Sequence, residues 1–405
     1  MSPENLERLK SVAEADVYKG GKLAAGLRRL PGAIEFQYRR EYLREPGPPV
    51  ATTLPLSDEP VRTPAGAVSP FFAGLLPEGR RLSNLRRAVK TSADDELSLL
   101  LGVGHDTIGD VQVVPQGEAP GAAKTLLQVR KDWKEVRFAS ILAEAGVVDP
   151  VGIPGIQDKT SALMISVPVA RARGRYILKV DPPEFPHLVR NEAFFLRLAR
   201  RVGLDCVEAE IVHDQDDIPG LLIRRFDRVE GKDGGVTSQA CEDACQVLAR
   251  WPADKYNVSG EEAVIALADR CPARPVALRS LYRQICFAWL TGNGDVHAKN
   301  LSILATPGGE WRVAPAYDLP STVPYGDKGL ALSIGNRVRG LSRKCLFAFA
   351  EDIGLRSSVG TKILYELLDQ LSGLEDEIRG GARALEIDPD NGWARGIPER
   401  VRAQD

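Results

Sequence analysis

The stretch Thr291 to Asp318 reads TGNGDVHAKNLSILATPGGEWRVAPAYD and places Asp295, His297, Lys299 and Asn300 in one glycine-rich loop, with a second acidic residue, Asp318, at its end. Two short apolar runs, LSIL and WRVA, are separated by TPGGE and predict a hairpin, which returns its end toward its beginning. Asp318 is thereby expected beside Asp295 and Asn300. One carboxylate to orient a hydroxyl, with an asparagine and a second carboxylate to hold Mg²⁺, is a set of groups suited to phosphoryl transfer. Taken alone, Asp295 could equally be a turn or cap residue, because short polar loops often place an Asp near an Asn. The elements around it decide the matter.

Upstream, ALMISVPV and RYILKV read as two strands joined by the polar turn RARG, and the second carries Lys179 between Leu178 and Val180. A lysine ending a strand is commonly a solvated edge residue, but this one has core-like neighbours. The preceding GIQDKTS imitates the end of a Walker A loop, yet Asp158 stands where the glycine before the lysine belongs and a strand follows instead of a helix. A glycine-containing loop followed by two strands could still lay backbone N–H groups and a lysine over phosphates. Glu192 then opens NEAFFLRLARRVGL, in which Ala193, Leu196, Ala199 and Val202 recur at helical spacing. In a first helical turn Glu192 needs no explanation beyond the helix dipole; in the company of Lys179 it reads as the partner that holds the lysine toward phosphate. Loop, strand lysine, helix glutamate, loop Asp and Asn, hairpin and final Asp is the order of parts in a protein kinase. G-x-G-x-x-G, H-R-D and D-F-G are absent.

The rest of the chain must supply the frame. At 405 residues it exceeds one hydrophobic core, so two or three domains are expected. Its 43% hydrophobic and 27% charged content is that of an ordinary soluble protein, and a net charge of −2 gives no global footprint of a nucleic-acid binder. Six cysteines without a C-x-x-C pair read as reduced thiols. There is no 18-residue apolar run, and MSPENLERLKS is charged where a signal peptide would be apolar, so a cytoplasmic location without membrane contact is expected.

Residues 14 to 45 predict a small antiparallel sheet, followed by a proline-rich connection and, from FFAGLL to LLLGVG, two helices. Arg80, Arg81, Arg86, Arg87 and Lys90 cluster there, as a solvated helix face or as a contact for an anion or acidic partner. GVGHDTIG has the wrong glycine spacing for a dinucleotide fingerprint and lies between a helix and a strand, so it reads as a turn. PQGEAPGAAK is the best linker candidate in the first half, and a helix is expected around Trp133 to Ala145. VEAEIVH and GLLIRRFDR read as strands; from Glu242 onward the pattern is mainly helical, ending in one helix near Thr361 to Ile378 and a frayed tail. His105, His187, His213 and His297 lack metal-ligand spacing and no G-x-S-x-G is present, so zinc and serine-hydrolase chemistry are set aside.

FFAGLLPEG, DELSLLLGVGHDTIGDVQVVP, IPGIQDK, RYILKV, HLVRNEAF, RRFDR, EDACQ, DKY, GNGDVHAKN and APAYDL, in that order, resemble the HipA-type serine/threonine kinases, the toxins of bacterial toxin-antitoxin pairs. The resemblance implies an α+β chain with a divergent, two-lobe protein-kinase-like fold: an N-terminal α/β subdomain over 1–122, a β-rich N-lobe with the phosphate loop over 123–228, and a helical C-lobe over 229–405. It further implies ATP and Mg²⁺, with Asp295 as general base, Asn300 and Asp318 as metal ligands, and Lys179, supported by Glu192, on the phosphates. Pro154, Gly155, Ile156, Gln157, Asp158 and Lys159 would form the phosphate loop, Arg224, Arg225 and Phe226 the strand passing adenine, and His297, Lys299 and Tyr317 further nucleotide contacts. Relatives phosphorylate translation components such as aminoacyl-tRNA synthetases. They are neutralised by a HipB-like helix-turn-helix antitoxin, through which they reach operator DNA without reading bases.

This sequence departs from the family pattern at two places. Gly152 stands where a regulatory serine is common, so silencing by autophosphorylation of the phosphate loop is not expected, and Arg224 replaces a common acidic residue. Readings from other classes are a kinase-shaped co-repressor that holds an antitoxin on DNA, and a small-molecule phosphotransferase.

Overall fold

The computed structural model describes residues 6–45, 47–120, 127–129, 132–144, 164–171, 174–182, 185–231 and 235–384. The phosphate-loop stretch, with Gly152 and residues 154–159, and the C-terminal tail lie outside these.

The first part is a five-stranded antiparallel sheet in the order β4-β3-β2-β1-β5, made of β1 (Glu14–Lys19), β2 (Lys22–Leu30), β3 (Ala33–Tyr38), β4 (Val61–Pro64) and β5 (Val111–Pro115). Inward residues such as Val17, Leu27, Phe36 and Val113 meet α1 (Arg40–Arg44), α2 (Pro70–Gly74), α3 (Gly79–Val89) and α4 (Glu96–Val103), so the sheet buries one face in its own apolar core. Three helices, not two, follow the proline-rich connection: Pro77 and Gly79 interrupt the run, and Pro70 starts a separate short helix. GVGHDTIG is a turn between α4 and β5, and Gly104 is required there, because a Cβ would stand 1.9 Å from the carbonyl oxygen of Val113.

The second sheet has the order β6-β7-β8-β10-β9 and comprises β6 (Leu127–Gln128), β7 (Ile165–Arg171), β8 (Gly174–Val180), β9 (Ala209–His213) and β10 (Pro219–Arg224), with α5 (Phe138–Glu144) beside it. The helix expected around Trp133 is a short 3-10 turn followed by α5. Beyond this sheet, α6 (Leu188–Arg201) buries Leu188, Val189, Glu192, Phe195, Leu196 and Ala199, an i, i+3, i+4, i+7 stripe. It starts at Leu188, so Glu192 lies past the first turn and the helix dipole is not its explanation.

The last part contains β11 (Arg228–Glu230) paired with β12 (Val236–Ser238), and a three-stranded sheet of β13 (Cys241–Asp243), β14 (Ser302–Ala305) and β15 (Trp311–Val313). Glu242 therefore belongs to a strand rather than to the helix that follows it. The predicted hairpin is β14–β15, with Ile303 opposite Val313. Around it stand α7 (Ala244–Val247), α8 (Gly260–Arg270), α9 (Arg274–Thr291), α10 (Arg343–Asp352), α11 (Ser357–Gln370) and α12 (Leu374–Ala384). The single terminal helix expected near Thr361 to Ile378 is instead two, α11 and α12, because Gly373 takes a positive φ of 82° and turns the chain between them. From Leu281 onward α9 is buried on every side apart from Arg283, as a central helix must be, and Tyr282 stacks on Phe349 with ring centroids 5.8 Å apart. Among the described residues no helix is long and apolar enough to cross a membrane.

A buried ionic cluster fastens the first part to the others. Asp227 accepts from Arg225 (2.9 Å), from Arg228 (2.6 Å) and from the backbone N–H of Gly109 (2.9 Å), while Asp106 receives both arginines at 2.8 Å. Burial would raise the Asp227 carboxyl, but the two guanidinium groups outweigh it and hold it below the ordinary carboxylate range. Replacing Asp227 with Ala leaves two buried cations short of charge and is expected to cost about 3–5 kcal/mol in urea unfolding at neutral pH. Since the folded pKa is the lower one, that contribution is complete above about pH 4 and is lost as pH falls through the folded pKa, so wild type and Asp227→Ala should converge in acid.

Candidate active site

Helix α9 aims the catalytic-loop candidates. It ends at Gly292, which takes a left-handed φ of 67° and closes the last turn, and the chain then enters Asn293–Asn300. Asn293 joins the two ends of the stretch: its Oδ1 accepts the backbone N–H of Asp295 at 3.0 Å and its Nδ2 donates to the carbonyl of Asp318 at 3.0 Å. Gly294 donates its N–H to Thr322 Oγ1 at 2.8 Å, so the loop is pinned to the segment beyond Asp318 as well. Asp295 is buried, and Tyr256 donates a 3.3 Å hydrogen bond to its Oδ1.

The hairpin returns Asp318 to this loop, as expected. Asn300 Nδ2 donates to Asp318 Oδ2 at 2.9 Å, and Lys179 Nζ donates to Asp318 Oδ1 at 2.9 Å. The same ammonium donates to both carboxylate oxygens of Glu192, at 2.9 and 2.8 Å. Strand β8, helix α6 and the hairpin end thus meet at one lysine. Asn191, the neighbour of Glu192, exchanges two hydrogen bonds with the backbone of Ser321, which fixes α6 against the segment that follows Asp318. Burial would lower Lys179, but Asp318 and Glu192 outweigh it and hold the ammonium above its ordinary range. Burial pushes Glu192 up to about 7 against the pull of Lys179, with Asp318 adding to the rise, while Lys179 outweighs burial at Asp318 and keeps that carboxyl low. Two carboxyl groups face one ammonium, so the group carries surplus negative charge once Glu192 is ionised.

A cavity of about 350 Å³ opens on these residues, lined by Lys179, Asp318, Ile177, Phe226 and Tyr317 on one side and by Leu75, Glu78 and Ile108 of the first part on the other. Phe226 and Tyr317 stack with centroids 5.6 Å apart, and Tyr317 Oη donates to the carbonyl of Lys299 at 2.7 Å, so the aromatic wall is tied to the loop. His297 is buried, its Nδ1 has no hydrogen-bond partner among the described residues, and burial lowers its pKa to about 3, so the ring is neutral at neutral pH.

Three of the expected nucleotide contacts have other occupations. Arg225 lines the cavity, but its guanidinium is committed to Asp106, Asp227 and the carbonyl of Thr107. Arg224 pairs with Glu208 and Glu230 on the half-exposed edge. Lys299 donates to the carbonyl of Gly74 at 2.9 Å and lies 3.4 Å from Glu78 and 3.7 Å from Asp243, which fastens the loop to the first part. Sequence reasoning missed Asn293, Tyr256, Thr322 and Glu78. The repeated glycines of TGNGD hid Asn293 as a turn residue, and the other three lie too far along the chain for spacing to reveal them.

The chain is similar to known proteins over most of its length. Residues 15–114 match the model of the HipA N-terminal domain, and residues 151–373 match that of the HipA-like C-terminal domain. Y4mE of Sinorhizobium fredii, a protein named as a candidate kinase, is 33% identical over 76% of this chain and 77% of its own length. The serine/threonine-protein kinase toxin HipA of Shewanella oneidensis is 27% identical over 77% of this chain and 76% of its own. A chain from the solved complex of Shewanella oneidensis HipA, HipB and operator DNA superposes with a TM-score of 0.74 at 22% identity, covering 96% of this chain and 95% of that one, so the two-lobe kinase-like fold is shared.

Gly294 offers a direct check on how tightly the loop is held. A Cβ there would lie 2.5 Å from Thr322 Oγ1 and 2.6 Å from the carbonyl of Gly329. Gly294→Ala should cost about 1–3 kcal/mol in chemical unfolding. Thr322→Ser in the same chain should not restore it, because the hydroxyl and the Gly329 carbonyl both remain.

Proposed function

This chain belongs to the HipA family, and from that premise we propose that it is an ATP- and Mg²⁺-dependent serine/threonine protein kinase that arrests growth in the cytoplasm. The observation that carries the reading is the meeting of Lys179, Glu192, Asp318 and Asn300 in contacts of 2.8–2.9 Å. A phosphate-binding lysine held by a helix carboxylate beside an Asp–Asn pair is an arrangement that phosphoryl transfer requires.

The donor set suits Mg²⁺. Asp318 and Asn300 offer hard oxygens, and a site with one carboxylate and one amide fits an ion that shares its coordination with phosphates and water rather than an all-protein cage. The surplus negative charge around Lys179 favours a cation there, and the unpartnered Nδ1 of His297 fits a polar ligand close by. When bound, Mg²⁺ would neutralise charge developing on the transferred phosphate. The chain's own residues do the rest. Lys179, kept protonated by two carboxylates, holds phosphate oxygens in place. Asp295, fixed through Asn293 and Tyr256, accepts the proton of a serine or threonine hydroxyl and orients its oxygen for in-line attack. Phe226 and Tyr317 present an aromatic wall to adenine, and Leu75 and Ile108 exclude water from the opposite side.

The Shewanella relative's name, a serine/threonine-protein kinase toxin, supports action on protein and growth arrest. The target is a translation component such as an aminoacyl-tRNA synthetase. A HipB-like helix-turn-helix antitoxin restrains the kinase and carries it to operator DNA, a reading supported by the related complex and consistent with a net charge of −2.

Expression of the chain is expected to arrest growth, and Lys179→Ala, Asp295→Asn and Asp318→Ala each to relieve it. Each variant should also lower transfer of labelled phosphate to protein bands of a cell lysate by about 10²–10⁴-fold. Equal toxicity of all three variants would sink the kinase mechanism. Label appearing only in small molecules would favour a small-molecule phosphotransferase instead.

A further inference from the structure

The cavity holds one cation whose charge nothing described around it uses. Five basic residues line it: Arg81, Lys179, Arg224, Arg225 and Lys299. Lys179, Arg224, Arg225 and Lys299 each lie within 4 Å of a carboxylate. Arg81, the third residue of α3, has no carboxylate at salt-bridge distance and no hydrogen-bond partner among the described residues. It is partly buried at the cavity wall, not out on the solvated face with Arg86 and Arg87. The carboxylate that most favours its charge, Asp106, is already occupied at 2.8 Å by both Arg225 and Arg228. Burial and the neighbouring Arg225 both press Arg81 toward losing its charge. A cation kept in such a place without a partner is a site waiting for an anion.

The anion follows from the reading of the cavity. An apolar and aromatic wall, a lysine for phosphate and an Asp–Asn pair describe the place of a nucleoside polyphosphate, and the charge such a ligand brings is on its phosphates. We propose that Arg81 is a phosphate-binding residue of the nucleotide site, supplied by the N-terminal part of the chain, so that this part completes the kinase site instead of merely packing on it. The proposal rests on the nucleotide reading above and adds a residue and a second structural unit to it. It also gives the basic cluster of α3 a division of labour: Arg86 and Arg87 are exposed, while Arg81 faces inward.

The test is calorimetric titration of adenosine, ADP and ATP, with Mg²⁺ present, into the full chain and its Arg81→Ala and Arg81→Lys variants. Arg81→Ala is expected to weaken ADP or ATP about 10–100-fold and to leave adenosine unchanged, with Arg81→Lys recovering part of the loss. The unfolding midpoint without nucleotide should not fall, since Arg81 has no partner to lose among the described residues and its buried charge is itself unfavourable. Unchanged ADP and ATP affinity overturns the proposal, and so does an equal loss for all three ligands, which would make Arg81 a wall residue. Failure of the wild-type chain to bind any of the three instead brings down the nucleotide reading on which the proposal stands, and the proposal with it.

Discussion

One ammonium organises the catalytic half of this molecule. A buried lysine is costly unless it is paired, and Lys179 is paired twice, with Glu192 from α6 and Asp318 from the hairpin end. Each pairing fixes an element that would otherwise be placed only by apolar packing, which is tolerant of small slides. Strand β8 cannot shift against α6 without pulling Nζ from the carboxylate of Glu192, and the hairpin end cannot move away without pulling the carboxylate of Asp318 from the same ammonium. Loss of a single partner in such a group costs more than the group contributes to stability. Its value therefore lies in geometry, since it holds Lys179 and the Asp318–Asn300 pair in one relative position.

The backbone at Asp318 fits this view. Its φ of 58° lies in the left-handed region that a non-glycine residue adopts only at a cost. That conformation is over-determined: Asn293 binds its carbonyl, Asn300 and Lys179 bind the two side-chain oxygens, and the next segment is held by Asn191 through Ser321. Strain at this residue points the carboxylate back toward the loop that carries Asp295 and Asn300, which a relaxed extended backbone after β15 would not do.

The parts of the site that were legible in the sequence are those that leave a local signature. LSIL and WRVA around Pro-Gly-Gly announce the hairpin, and Lys179 between two apolar residues announces a strand with a buried flank. What the sequence did not disclose is pairing across distance. Glu78 meets Lys255 and Lys299, and Asp106 meets Arg225 and Arg228, across more than 100 residues in each case, and no periodicity marks such partners. The terminal helix was misread for a related reason. Leu364, Leu368, Leu371, Leu374 and Ile378 keep helical spacing across the interrupting Gly373, and apolar spacing alone does not register that the backbone there turns left-handed. Arg225 is the reverse case: the family resemblance implies a place beside adenine, while its guanidinium charge is taken up by Asp106 and Asp227.

These long-range pairs also account for where the N-terminal part sits. Its own core, from Leu9 to Val113, is complete without the rest of the chain, so apolar burial does not dictate its docking. Polar contacts do: Glu242 takes the N–H and hydroxyl of Thr52 at 2.8 and 2.6 Å, Gln246 donates to the carbonyl of Phe71, and Lys299 donates to that of Gly74. These contacts reach the Asn293–Asn300 loop, β13 and the α7 that follows it. A surface joined by directional, partly buried polar bonds is specific in orientation but gains little from area alone. Any ligand that spans the cavity between the two parts would therefore add its own binding energy to their docking, and docking in turn would set the shape of the ligand's pocket. The two equilibria are linked by the same residues, Glu78 and Lys299, that hold the loop in place.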